Sequence, residues 1–195
     1  MGVRIHGYLI STWTRTACMT CAEKGVEYEL VPVKRFSDEH EAMHPFKRMP
    51  VLEHDGRVLT EGLAITGYVD EAFSGPALVP EDIEQRARVR QWQSMCADYG
   101  FRRVVRGVPR DRDPTGEELA EARDVLERFD SFAGDGAFLV GEQITLADIY
   151  LAPQVANARE KAPQLLESLD SLGSWLERIA ARESFTSTAY QPPGR

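Results

Sequence analysis

The sequence predicts an α/β domain followed by an all-helical domain, and three observations lead to this prediction. Within residues 1–73, short apolar runs and helical patterns follow one another in the order β-α-β-(α)-β-β-α. Residues 74–82, SGPALVPED, lose all periodicity and contain a glycine and two prolines, which is typical of a linker. Residues 83–195 show helical spacing only, and a chain of 195 residues has room for both domains.

The first half of the α/β domain is predicted as a β-α-β unit. Residues 3–8 form a short, mostly apolar strand, and residues 13–24 follow as a helix. Lys24-Gly25 ends that helix with a basic residue and a C-cap glycine. Residues 26–33 alternate between apolar and polar at first, which predicts a second strand, and the helical crossover makes the two strands parallel.

The second half of this domain is predicted as a hairpin followed by a helix. Residues 34–48 are polar and weakly patterned, so we expect a loop with at most one short helix. The strands 50–54 and 57–60 are joined by Asp55-Gly56, a hairpin turn signal. Apolar residues at helical spacing then predict a helix over 63–69.

The second domain is predicted to contain four helices. The first helix covers residues 81–106, and residues 107–116, GVPRDRDPTG, interrupt the chain after it. The other helices cover 117–133, a stretch from Thr145 onward, and about 164–182, and the tail from Phe185 is irregular. One apolar stripe on the first helix comprises Val89, Trp92, Met95, Cys96 and Tyr99.

The start of the third helix has a strong folding signal. Thr145 is the expected N-cap, and Asp148 stands three residues later, where its carboxylate can accept the backbone N–H of the cap. Ile144 and Ile149 occupy the two positions of a hydrophobic staple. This signal predicts a helix boundary and carries no chemistry.

Composition narrows the function classes. With 31 acidic and 23 basic residues the formal charge is −8, which disfavours nucleic-acid binding as the main function. No apolar run approaches the roughly 20 residues of a membrane span, and the first residues do not resemble a signal peptide. Three cysteines, an odd number, argue against a disulfide framework. We therefore expect a cytoplasmic protein that binds neither nucleic acid nor membrane.

Cys18 and Cys21 form a C-x-x-C pair that we interpret as structural. A redox pair needs its first cysteine at a helix N-terminus, where the helix dipole lowers the pKa of the thiol. This pair lies inside the helical pattern. A zinc site would need a second ligand pair, and the four histidines do not form an obvious one, so we expect no metal.

Three motifs carry a resemblance to a known family. Residues 11–15, Ser-Thr-Trp-Thr-Arg, follow the first strand and resemble a serine-type active-site turn. Residues 44–52 are similar to an Asn-Pro-x-Gly-x-Val-Pro-x-Leu motif, and residues 59–65 resemble a bacterial TEG-x-AI motif. In this order and spacing they resemble the cytosolic glutathione transferases over nearly the whole chain. The resemblance implies a thioredoxin-like N-terminal domain and an all-α C-terminal domain.

The resemblance implies a catalytic role for a hydroxyl of the first turn. A serine there donates a hydrogen bond to the glutathione thiolate beside a helix N-terminus, and both the bond and the helix dipole favour the anion. Comparison with the serine-type classes favours Ser11. Thr12 is the alternative candidate, and either Thr12 or Thr14 could be the N-cap instead.

The other two motifs imply the glutathione-binding residues. Met49-Pro50 is expected to be a cis bond, which presents the backbone of Met49 to the ligand peptide. Glu61 is expected to bind the γ-glutamyl ammonium, and the N–H of Gly62 to bind the adjacent carboxylate at a helix N-terminus. The glycyl carboxylate needs a cation, for which Lys47, Arg48 and His40 are candidates. We favour Arg48 among these three.

The resemblance also implies a second-substrate pocket between the two domains. An arginine cluster at residues 102–106 could favour an anionic co-substrate or could be a solvated helix face. The candidate lining residues are Tyr8, Trp13, Tyr99 and Arg103.

The sequence therefore predicts a glutathione S-transferase that adds the glutathione thiolate to a small electrophile, as in detoxification, without a metal. The resemblance further implies a homodimer in which the helix over 81–106 faces the partner. Two alternatives stay open: another glutathione-dependent enzyme (an isomerase, dehalogenase or peroxidase), or a non-catalytic binding module with the same fold.

Overall fold

The computed structural model describes residues 2–134 and 136–190 of the chain. These residues divide into two compact units. The first unit comprises the described residues up to Leu78 together with those from Glu183 onward, and the second comprises the described residues of Val79–Arg182.

The first unit is built on a four-stranded mixed sheet. Its strand order is β2-β1-β3-β4; β1 and β2 are parallel, and the pairs β1/β3 and β3/β4 are antiparallel. The predicted parallel unit and the predicted hairpin are therefore both present. The strands are β1 Val3–His6, β2 Tyr28–Val31, β3 Val51–His54 and β4 Arg57–Thr60.

The pairing register aligns the ends of three strands. His6, the last residue of β1, lies opposite Val51, the first residue of β3. Val51 in turn lies opposite Thr60, the last residue of β4. The chain therefore leaves β1, enters β3 and leaves β4 at the same edge of the sheet.

Four helices belong to the first unit. Helices α1 and α3 pack against each other, and residues of both contribute to the apolar core over the sheet. Ile5 and Leu52, from neighbouring strands, are fully buried in that core. The helices are α1 Thr12–Lys24, α2 Asp38–Met43, α3 Gly62–Ala72 and α8 Glu183–Ser187.

Helix α8 groups with the first unit, although the sequence analysis assigns its residues to the second domain. The side chain of Arg15 on α1 donates to the carbonyl of Phe185 at 2.9 Å, and its guanidinium carbon lies 4.0 Å from the centre of the Phe185 ring. Ser184 donates to the carboxylate of Glu23 at 2.5 Å. The tail was expected to be irregular from Phe185, but α8 extends to Ser187; residues 191–195 lie outside the described part.

The second unit is entirely helical in its regular structure. No helix among the described residues is long and apolar enough to cross a membrane. Its elements are α4 Ile83–Met95, a π-helix Cys96–Val105, α5 Gly116–Ala133, α6 Leu146–Lys161, a 3₁₀-helix Pro163–Leu166 and α7 Asp170–Ala180.

The helix predicted over 81–106 changes its winding at Cys96. Up to that residue the buried positions are Val89, Trp92 and Cys96 of the predicted stripe together with Gln93, whereas Met95 of the stripe is only partly buried. Beyond it the i→i+5 pattern of a π-helix widens each turn, and the fully buried positions become Gly100 and Val104. Tyr99, which was expected on the apolar stripe, is instead 58% exposed.

The single helix predicted over 164–182 is wrong. A 3₁₀ turn occupies Pro163–Leu166, and α7 begins only at Asp170. Between them Ser168 has φ 60°, a left-handed conformation that an α-helix does not accommodate. No glycine or proline marks this break in the sequence, so the periodic apolar residues on both sides predict one continuous helix.

The predicted capping box at Thr145 is confirmed, and its acid is fully buried. The carboxylate of Asp148 accepts hydrogen bonds from the N–H of Leu139, the N–H and hydroxyl of Thr145 and the indole N–H of Trp175, at 2.9–3.1 Å. Burial raises the pKa of Asp148, and these donors act in the opposite direction. One side chain thus joins the start of α6, the segment before it and α7.

We expect Asp148→Ala to lower the free energy of unfolding of the second unit by about 3–4 kcal/mol, because several buried donors lose their acceptor together. Thermal and denaturant unfolding measure the loss. The capping box Thr115–Glu118 of α5 provides a matched control, since Glu118 occupies the same N3 position at the surface. Glu118→Ala should lower the free energy of unfolding much less than Asp148→Ala does. Equal losses in the two variants would show that the buried network adds nothing to capping.

Candidate functional site

The turn after β1 places one hydroxyl at the start of a helix. The N–H of Ser11 donates to the carbonyl of Tyr8 at 2.9 Å, which closes the turn. Ser11 is the N-cap of α1, and its Oγ accepts the N–H of Thr14 at 3.4 Å. Of the three hydroxyls that the sequence offered as caps, Ser11 therefore takes this role.

The three hydroxyls differ in access to solvent. Ser11 is partly exposed, whereas Thr12 and Thr14 are buried. The side-chain oxygens of both threonines lack a hydrogen-bond partner in the described part of the chain. The cap bond uses Ser11 Oγ as an acceptor, so its own proton is available to an acceptor outside the helix. That acceptor would lie at the positive end of the α1 dipole.

The segment before β3 contains the expected cis bond between Met49 and Pro50. His40 on α2 supports this segment, because its Nε2 lies 2.9 Å from the carbonyl oxygen of Arg48. The other ring nitrogen of His40 accepts the N–H of Phe36 at 3.4 Å. His40 is fully buried, so both of its polar atoms are used inside the protein and it does not face a ligand carboxylate as the resemblance implied.

The two remaining candidate cations next to the cis bond are not equivalent. Lys47 forms an ion pair with Glu41 at 2.8 Å. It also has φ 50°, the left-handed region that favours the glycine usual in the family motif. Arg48 is exposed, and its side chain has no carboxylate partner in the described part of the chain. Arg48 is thus the cation that is available to an anionic group.

The segment after β4 places an acid and a helix N-terminus side by side. Glu61 is the N-cap residue of α3, makes no side-chain cap bond and has a 70% exposed side chain. Its φ of 69° is unfavourable for a residue with a side chain, and such strain tends to persist at binding sites. Gly62 begins α3, so its N–H is one of the free donors at the helix start.

His44 lies against this acid, and the sequence analysis assigned it no role. Its Nε2 is 3.6 Å from Glu61 Oε1, and its Nδ1 accepts the N–H of Phe46 at 3.2 Å. The ring is buried, and this burial lowers its pKa despite the nearby carboxylate. The sequence signal that could have identified it is a histidine at the position where the resembling motif has asparagine.

The candidate second-substrate residues belong to two different units. In the first unit, Tyr8 is 38% exposed and donates its hydroxyl to the carbonyl of Val33 at 2.6 Å, and Trp13 is partly exposed. In the second unit, Tyr99 and Arg103 lie on the exposed face of the π-helix, and Arg103 is paired with Glu121 at 2.6 Å. The charge of Arg103 is thus already compensated.

The three cysteines are buried and do not form disulfides. Burial raises the pKa of Cys18 and of Cys21 to about 12, so both are neutral thiols at physiological pH. This agrees with the structural interpretation of the C-x-x-C pair. Among residues 2–134 and 136–190, no cluster of three or more histidine, cysteine, aspartate or glutamate side chains could hold a metal ion.

Comparison with known proteins gives consistent matches over both units. Family models of the N-terminal and C-terminal domains of glutathione S-transferases match residues 5–77 and 92–183. Maleylacetoacetate isomerase of Rattus norvegicus is 30% identical over 168 residues, covering 79% of this chain and 77% of the relative. Glutathione S-transferase APIC of Nicotiana tabacum is 24% identical and covers 95% of this chain and 96% of the relative.

The fold also matches solved structures. The crystal structure of a glutathione S-transferase from Methylobacillus flagellatus with bound GSH has a TM-score of 0.82 and 23% identity, and covers 96% of this chain and 99% of that protein. With a mixed four-stranded sheet in one unit and helices in the other, the molecule has the thioredoxin-like and all-α domains that the resemblance implied. These matches and the 30% identity over most of its length establish that the chain belongs to the glutathione S-transferase family.

Proposed function

We propose that this protein is a glutathione transferase in which Ser11 stabilises the glutathione thiolate for attack on a small electrophile. The observation that carries the proposal is the sheet register at Val51. It brings the Ser11 turn, the cis Met49-Pro50 bond and the start of α3 to one edge of the first unit. Each of these three segments offers a different group of hydrogen-bond donors or acceptors.

The spacing of the three segments suits a tripeptide. Neighbouring strands lie about 4.8 Å apart, so the ends of β1 and β4, with β3 between them, are separated by about 10 Å. An extended chain of three residues also spans about 10 Å. A peptide bound along this edge would meet the Ser11 turn and the Met49 backbone with its central residue, and Glu61 with its amino end.

The charges along this edge complement those of glutathione. Glu61 would bind the ammonium of the γ-glutamyl group, and the N–H of Gly62 at the start of α3 would bind the neighbouring carboxylate. The backbone of Met49 would pair with the cysteinyl residue as an added strand does. Arg48, which is exposed and has no carboxylate partner in the described residues, would bind the glycyl carboxylate.

Ser11 supports the chemical step from its position at the N-terminus of α1. Its hydroxyl would donate to the sulfur while the helix dipole favours negative charge there. Lowering the pKa of a thiol by two units from about 8.5 leaves most of it ionised at pH 7 and corresponds to about 2.7 kcal/mol. The nucleophilic sulfur belongs to glutathione, so the protein forms no covalent bond with the substrate. The aromatic Tyr8 and Trp13 flank the same turn and favour an apolar electrophile.

Isomerisation is the second candidate reaction, and one observation favours it. The relative that is 30% identical is named maleylacetoacetate isomerase. Isomerases of the zeta type have the motif Ser-Ser-Cys-x-Trp in their first turn. The turn Ser11-Thr12-Trp13 of this chain lacks that cysteine, which argues against isomerisation. We place the transferase first for this reason.

We also propose that the protein is a cytoplasmic homodimer that uses the face of α4, as the family resemblance implies.

Ser11→Ala should raise the pKa of bound glutathione by about one to two units, because the sulfur loses a hydrogen-bond donor. Ultraviolet absorbance of the bound thiolate against pH measures this pKa. The substitution also removes an N-cap, at about 1 kcal/mol of stability, so folding must be checked at the assay temperature. An unchanged pKa in Ser11→Ala together with a raised pKa in Thr12→Val would transfer the role to Thr12.

Arg48→Met should weaken glutathione binding about five- to tenfold, because the glycyl carboxylate loses a charge-assisted partner. Isothermal titration calorimetry with glutathione at moderate ionic strength measures the change. Lys47→Met is the matched control, since it removes the neighbouring cation that is already paired with Glu41. If Lys47→Met weakens binding as much as Arg48→Met, the glycyl site is not at Arg48.

A parallel assay separates the two candidate reactions. With glutathione at a fixed concentration, we expect the protein to conjugate a chlorodinitrobenzene and to isomerise maleylacetoacetate at least a hundredfold more slowly, because the first turn lacks the cysteine. Ser11→Ala should abolish most of the conjugation. A faster isomerisation than conjugation would replace the proposed transferase activity by the alternative, while glutathione binding stayed intact.

A further inference from the structure

We propose that His44 is a positioning residue that orients the Glu61 carboxylate toward a ligand ammonium and weakens the binding of that ammonium when the histidine becomes protonated. The inference rests on the proposed function, because it assigns the ammonium of glutathione to Glu61. The inference adds a pH-dependent control of glutathione affinity, exerted by His44 at the C-terminal end of α2.

Hydrogen bonding determines which nitrogen of His44 carries the proton. Nδ1 accepts the backbone N–H of Phe46, so the neutral ring must have its proton on Nε2. That Nε2–H lies 3.6 Å from Glu61 Oε1. The ring N–H therefore faces one oxygen of the carboxylate at ion-pair distance, longer than a hydrogen bond, and the Glu61 side chain, 70% exposed, stays accessible to a ligand.

His44 is the side chain that contacts the Glu61 carboxylate in the described part of the chain. Glu61 makes no cap bond to α3, it is 70% exposed, and a free glutamate loses up to about 2 kcal/mol of rotamer entropy when it is ordered. The His44 side chain is only 2% exposed and is fixed by the Phe46 bond. A fixed imidazole next to an exposed carboxylate reduces the number of orientations that a ligand has to select.

Protonation of His44 turns its favourable effect on ammonium binding into an unfavourable one. A charged His44 would put a cation next to the carboxylate that an incoming ammonium must reach, and two cations within about 6 Å of each other repel. The titratable and charged groups that face His44 are Glu61, His40 and Arg48. Burial, His40 and Arg48 lower the pKa of His44 and Glu61 raises it, with burial the largest effect. The ring is therefore neutral at pH 7 and gains its charge below the ordinary histidine value of about 6.5.

The test measures affinity against pH with S-methylglutathione, whose sulfur does not titrate. Calorimetry between pH 7.5 and 5.0 should give a dissociation constant about tenfold higher at pH 5.0, with the midpoint at the His44 pKa measured by NMR. N-acetyl-S-methylglutathione, which lacks the ammonium, should bind more weakly but with the same constant at both pH values. Equal pH dependence of the two ligands overturns the proposal.

Two variants assign the effect to this residue. Asparagine at position 44 can still accept the Phe46 N–H but is too short to reach Glu61, so His44→Asn should remove the pH dependence and weaken binding about threefold at pH 7.5. His54→Asn is the control, because His54 bonds the Tyr68 hydroxyl instead and its loss should leave the profile as in the wild type.

The outcomes are separable. If the dissociation constant of His44→Asn depends on pH as that of the wild type does, the role of His44 is refuted. The binding of S-methylglutathione would still support the proposed function. Absence of S-methylglutathione binding to the wild type at every pH refutes the proposed function and this inference with it. If His44→Asn does not fold, the two ligands and the NMR titration of the wild-type protein still decide the question.

Discussion

The pairing of Val51 with both His6 and Thr60 is the constraint on which the candidate site depends. It brings together the Ser11 turn and two segments, at Met49-Pro50 and Glu61, that follow it about 40 and 50 residues later in the sequence. The register itself is held by the core, because Val51 and Leu52 are almost fully buried. A slip by one residue would turn the side chains of β3 to the opposite face and separate the cis bond from the Ser11 turn. The binding edge is thus a consequence of core packing.

Local patterns in the sequence were sufficient for the four strands and for α1 and α3 of the first unit, but not for α8 or for the roles of individual polar residues. Alternation and turn signals predicted all four strands, because side-chain period and turn chemistry are local properties. Three hydroxyls within four residues all satisfied the rules for an N-cap, and only the cap bond and the burial seen in the structure distinguished Ser11 from Thr12 and Thr14. His40 similarly matched a ligand position, although its ring is directed into the protein.

The π-helix shows why tertiary packing is needed to predict an exposed face. A Cβ at Gly100 would overlap the amide oxygen of the buried Gln154 on α6, so the helix can approach α6 only where it has a glycine. The widened turn places Gly100 at this contact and turns Tyr99 outward. Lys161 donates to the carbonyl of Val105, the last residue of this helix, and to the carbonyl of Val108 beyond it. A helical wheel drawn with 3.6 residues per turn cannot anticipate this rotation.

Family membership alone does not select a reaction, because one fold supports several chemistries. In this chain the first turn has no thiol, and the three cysteines are buried, with the pKa of Cys18 and Cys21 raised by that burial; under the proposed function the sulfur nucleophile therefore comes with the ligand. The chain can then influence the reaction only through hydrogen bonds and charge around that ligand. Under the proposed function, Ser11 would act on the sulfur, whereas Glu61 and its neighbour His44 would act on the far end of the same molecule. Ligand affinity would then depend on the protonation of His44, whereas thiol activation would depend on the Ser11 hydroxyl, so the two effects could be measured separately.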